Sequence, residues 1–211
     1  MDLEDRIKHQ FSGLFITLLS VLIGLVFADL VSEAHARMAL WPLNVGTIRT
    51  WGQIFAMGTC ALTGWVFLAH IGISRLRIPA LEDSLIVFLT PVPLLIGNSF
   101  VGLKEVWPWL YYASFFLAMS LGATFLQVRT ASAERGLASF ARITRPFGPA
   151  LVLYIGIPFY AAAGWADSHA NLSPVMEMLL AMSPTPAALC FLWLFFRAWH
   201  RAIAEARALG R

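Results

Sequence analysis

Few side chains in this 211-residue chain could do chemistry at depth in an apolar environment, and they are spread out. Asp29 stands near the end of a long apolar run, where it reads either as a carboxylate that draws cations to a pore mouth or as a helix-end residue reaching headgroup water. The second reading is preferred. His70 lies about one turn before the basic stretch Ser74-Arg75-Leu76-Arg77. It could act as a proton-sensitive switch, because histidine titrates near neutral pH. A histidine hydrogen-bonded to a neighbouring helix at an interface is the plainer reading. Pro91 and Pro93 are followed by Gly97, Asn98 and Ser99. A proline inside an apolar helix frees carbonyls of the preceding turn. Irregular backbone survives in lipid only when buried in protein or lining a wet cavity. Asn98 and Ser99 therefore line a solute path or knit helices together, and packing is the preferred reading.

Other chemistry is not signalled. The sequence holds no GxSxG, HExxH or P-loop pattern and no paired carboxylate deep in one membrane helix, so no catalytic residue is assigned and an enzyme is not expected. Lys8 and Lys104 are the only lysines, which leaves no lysine within an apolar run for a Schiff base. No His, Cys, Asp and Glu set has metal-ligand spacing, so neither a metal nor a cofactor is expected. Cys60 and Cys190 sit singly in apolar runs and read as small packing residues.

The elements that must carry these residues follow from composition. Hydrophobic residues make up 59% of the chain and charged residues 13%, about half the charged share of an ordinary soluble domain. The apolar surplus needs lipid to face. Crossing a bilayer takes about 20 apolar residues, and the backbone must satisfy its own hydrogen bonds there. The fold class expected is therefore all-α: a polytopic transmembrane helical bundle of about six spans, forming one domain over 1–211. The runs fall at 11–31, 51–73, 79–103, 106–128, 146–166 and 183–200. A surface helix is expected near 133–144, with apolar Leu137, Phe140 and Ala141 on one face. A short outer helix is expected near 174–182. Ser183 as N-cap and Pro184 just inside would open the last span, which would end near Trp199 and pass into a charged tail. The first run exceeds a signal-peptide core and follows a segment of mixed charge, so it reads as a retained span. No internal repeat is evident.

Basic residues set the orientation, since they collect in cytoplasmic loops. With the N-terminus inside, 12 of the 15 Lys and Arg residues fall on inner segments, whereas acidic residues split 7 inside to 5 outside. Both termini are therefore expected in the cytoplasm, in a multi-pass protein of a bacterial inner (plasma) membrane. Arg129, Arg135, Arg142, Arg145, Arg197 and Arg201 form a basic inner face that could recruit a cytoplasmic protein. No nucleic-acid partner is expected.

Arg6 precedes Phe11-Ser12 at the start of the first span, and Trp65 and His70 lie on the second. Together with six spans and both ends inside, this resembles the small bacterial relatives of the lysosomal potassium channel. Those are oligomers of six-helix subunits whose first helix lines the pore, with an Arg and a Phe-Ser-Asp near its start. Gly13 stands here where that family has Asp. The resemblance implies an apolar constriction on the first helix, at Leu18, Val21 or Leu25. The expected function is a channel-like or solute-conducting homo-oligomer. The rival is a non-conducting membrane scaffold or sensor working through the basic inner face.

Overall fold

The computed structural model describes residues 3–37, 44–74, 90–130, 156–169 and 172–209, and all regular structure among them is helical. Among the described residues there are seven helices: α1 (Leu3–Arg37), α2 (Val45–Ser74), α3 (Pro91–Asn98), α4 (Trp107–Thr130), α5 (Ile157–Ser168), α6 (Pro174–Met182) and α7 (Pro184–Leu209). Among the described residues, the segments Gly13–Ala36, Val45–His70 and Pro174–Arg201 are long and apolar enough to cross a membrane. The surface helix near 133–144, the run-in to Pro91, and Arg135, Arg142 and Arg145 lie outside the described residues.

The helix ends depart from the sequence expectation: α1 spans Leu3–Arg37 rather than 11–31, α3 stops at Asn98 rather than near 103, and three further departures follow, the first two with a local reason. First, α2 starts at Val45 rather than Trp51. Asn44 Oδ1 accepts from the Thr47 amide (2.9 Å) and hydroxyl (3.1 Å), satisfying an amide that the first turn leaves without a partner. The polar look of Val45–Thr50 hid this turn. Second, Ser183 does not cap α7. Its backbone is helical, and its hydroxyl turns back to donate to the Leu180 carbonyl at 2.7 Å. Pro184 has no amide to offer that carbonyl, so the serine replaces it. The cap falls instead at Ser173, whose hydroxyl accepts from the Met176 amide at 3.3 Å. α6 and α7 thus form one helical course broken only at Ser183. Third, α7 continues past Trp199 to Leu209.

Helix α2 is the centre of the bundle. Its threonines would be costly in an apolar packing layer, but Thr50, Thr59 and Thr63 donate to the carbonyls of Gly46, Phe55 and Thr59 within the same helix. α1 runs antiparallel to it: Trp65 Nε1 donates to Ser20 Oγ (3.0 Å), and the Phe27 ring lies against Gly58. α3 is also antiparallel to α2, with Thr90 near Gly64 at one end and Gly102 near Gln53 at the other. α4 returns alongside α3, and α5 runs opposite to α4, where Ser114 Oγ donates to the Gly156 carbonyl at 2.7 Å. The α6–α7 course lies parallel to α2, matching Glu177 with Arg49, Phe195 with Phe67 and Trp199 with His70. Helix direction therefore alternates along the chain, with α6 and α7 counted together.

One face of α1 enters the core through Phe15, Leu19, Ile23, Val26, Leu30 and Ala34. These positions repeat at helical spacing. The opposite face carries Leu14, Leu18, Val21, Leu25 and Val31, all exposed. A helix apolar on both faces while only one is packed is suited to an apolar medium.

Candidate functional site

The polar side chains gather where α1 ends and α2 begins. Asn98, at the last position of α3, has no exposed surface. Its Nδ2 donates to the Val26 carbonyl (3.0 Å) and to Asp29 Oδ2 (2.9 Å) on α1. One amide therefore stitches α3 to α1 and holds the half-buried carboxylate in place. Sequence reasoning singled out both residues without pairing them, since 69 positions separate them. Asp29 here is a packing partner rather than a carboxylate standing clear at a helix end. Ser99 takes no part in this pair; its hydroxyl donates to Ile96 O at 2.6 Å.

Beyond Asn98 the chain turns through residues 99–106 to reach α4. Two side chains of α2 hold this turn. Gln53, also without exposed surface, accepts from the Gly102 amide at 2.9 Å. Gly102 has φ 75°, which glycine adopts at little cost. Arg49 donates to the Leu103 carbonyl (2.8 Å) and the Lys104 carbonyl (2.9 Å), and pairs with Glu177 of α6 at 2.6 Å. A planar guanidinium serves three acceptors at once, which a lysine ammonium does less well. Arg49 thus ties α2, the α3–α4 turn and α6 together. Sequence reasoning counted it only as a loop charge and passed over Gln53; a lone Gln in an apolar run was the available signal.

Aromatic residues of α4 close the cluster from the side. Trp109 is fully buried and donates its indole N–H to the Ala181 carbonyl at 3.0 Å. Tyr112 donates to the Pro93 carbonyl at 2.7 Å, and its ring covers Gly97 so closely that a Cβ there would strike it. Pro91 and Pro93 stand in the first turn of α3, and Thr90 before them is itself helical.

His70 is not part of this cluster. It is buried at the opposite end of α2, its ring tilted against Trp199 with centroids 5.4 Å apart. Leu18, Val21 and Leu25 line the uncovered face of α1. Arg129 lies within α4, while Arg197 and Arg201 are exposed on α7. Cys60 is half-buried and Cys190 exposed, each a free thiol. Among the described residues no three His, Cys, Asp or Glu side chains converge as a metal would need. The cluster is thus rich in structural hydrogen bonds, with its one carboxylate–guanidinium pair spent on joining helices.

No protein-family model, curated protein or solved structure matches this chain.

Proposed function

We propose that this chain is a six-span membrane protein with both termini in the cytoplasm, assembling as a homo-oligomer that conducts small ions passively along an axis lined by α1. The observation that carries the proposal is the uncovered face of α1. Leu14, Leu18, Val21 and Leu25 recur at spacings of three and four residues, with Val21 56% and Leu25 58% exposed. This is the spacing by which parallel helices pack around an axis. Gly24 and Ala28 run beside the stripe, and Gly24 has nothing within 4 Å of where a side chain would start. Small residues four apart allow helix backbones to approach in a bilayer. Thr17 and Ser20 donate their hydroxyls to the carbonyls of Gly13 and Ile16, so this part of the stripe adds no unsatisfied donor.

The polar cluster at the Arg49 end supports the reading in a different way. Its bonds lock α3 and the following turn onto α1 and α2. They give α1 a rigid back and leave its free face for contact between subunits. The alternating helix directions agree with an even number of crossings. Flux through purified protein in liposomes tests the proposal. Passive K⁺ or other cation flux is expected, raised by Leu25→Asn, which wets an apolar constriction. Silence across K⁺, Na⁺, H⁺ and Cl⁻ ends the channel reading.

A further inference from the structure

The exposed face of α7 changes character along its length. Leu189, Trp193 and Phe196 form an uncovered apolar strip, and Arg197, His200 and Arg201 follow it on the same face. At 3.6 residues per turn these six fall within about half the helix circumference. Phe195 and Ala198 lie on the other side, in the core against α2. The Arg197 guanidinium sits over the exposed Trp193 ring, 5.3 Å from its centroid, so the cation is held next to the apolar strip. Arg201 stands one turn further along. Glu205 is the only acid in 183–211. The change from apolar to basic occurs level with the His70–Trp199 contact, close to the end of α2 at Ser74.

We propose that this face of α7 is a binding site for one anionic phospholipid, such as phosphatidylglycerol. Arg197, His200 and Arg201 take the headgroup phosphate, and an acyl chain lies along Leu189, Trp193 and Phe196. Guanidinium groups suit phosphate through paired N–H donors. The apolar strip that continues directly from them distinguishes a lipid from a free anion. The inference rests on the membrane reading, and on nothing about conduction.

The test is lipid retention. Full-length protein is reconstituted in phosphatidylcholine nanodiscs containing phosphatidylglycerol, released into mild detergent, and weighed with its lipids by native mass spectrometry. Phosphatidylglycerol is expected to be retained over phosphatidylcholine by about thirtyfold, as two cations at about 1 kcal/mol each near a membrane surface would give. Arg197→Gln with Arg201→Gln is expected to abolish the preference, and Arg197→Lys with Arg201→Lys to keep part of it. The lysine pair controls for folding. Equal retention of both lipids by the natural protein overturns the site. So does displacement of the lipid by millimolar inorganic phosphate, which would mark a free-anion site. Unchanged retention in the Gln pair, with loss of a captured acidic protein, assigns the face to a protein partner instead. Alkaline carbonate extraction of cell membranes separates the two levels. A chain that washes off refutes the membrane reading, whereas one that stays but shows no lipid preference refutes only this site.

Discussion

Replacing Asn98 with leucine keeps most of its volume and removes both hydrogen bonds to α1. Interhelical bonds in bilayers average about 0.6 kcal/mol and reach about 1.7, so Asn98→Leu is expected to cost about 1–2 kcal/mol. Thermal unfolding in detergent should register it as a fall of several degrees. Ser99→Ala should cost about 0.5 kcal/mol or less, because that hydroxyl is exposed and bonded within its own helix. If both substitutions cost the same, the stitching role of Asn98 is wrong. Arg49 and Glu177 invite a double-mutant cycle. Their pair is partly screened by solvent, so the coupling should be about 1 kcal/mol. Arg49→Met alone should cost more than Glu177→Gln, because it also orphans the Leu103 and Lys104 carbonyls. At this scale the sequence was half legible. Asn98 and Asp29 stood out because polar groups are rare in apolar runs. Their pairing was hidden, because nothing local ties position 29 to position 98. Arg49 was missed because a basic residue near a helix end is ordinary, whatever it bonds.

The helices were easier to read than their ends. Apolar runs show where lipid-compatible helices lie, since length and hydropathy are nearly sufficient in that medium. The ends depend on single hydrogen bonds. Asn44→Ala should cost about 1 kcal/mol and fray the first turn of α2, visible as faster amide hydrogen exchange over Val45–Ile48. Unchanged exchange there would mean that the cap is not what starts α2 early. The break at Ser183 follows from Pro184 and Pro186, which withhold amides from the carbonyls four residues back. The Ser-Pro pairs at 173–174 and 183–184 suggested a separate outer helix and a separate span. Parallel packing of both pieces on α2 makes them one course. Gly97 marks the same limit: its need is set by a tyrosine 15 positions away, a contact no local pattern predicts.

The alternation of helix direction is the property of the whole molecule that bears on topology. With the N-terminus inside, it sends α7 inward, so a green fluorescent protein fused after Arg211 should fluoresce, and an alkaline phosphatase fused there should be inactive. The opposite pair of results would reverse the orientation read from the basic residues. Charge counting predicts that orientation because insertion responds to loop charge directly. Which helix sits at the centre was out of its reach, because both faces of α1 and α2 are apolar and offer no preferred neighbour. The parallel pairing of α2 with α6–α7 joins residues as far apart as Gly52 and Thr185, 133 positions along the chain. A ribosome making this protein releases α2 long before its partner exists. For that interval α2 has no α6 or α7 against it, and Arg49 has no carboxylate from Glu177. Chains cut short before Pro174 would keep that state permanently, and membrane quality-control proteases should clear them much faster than the full-length protein.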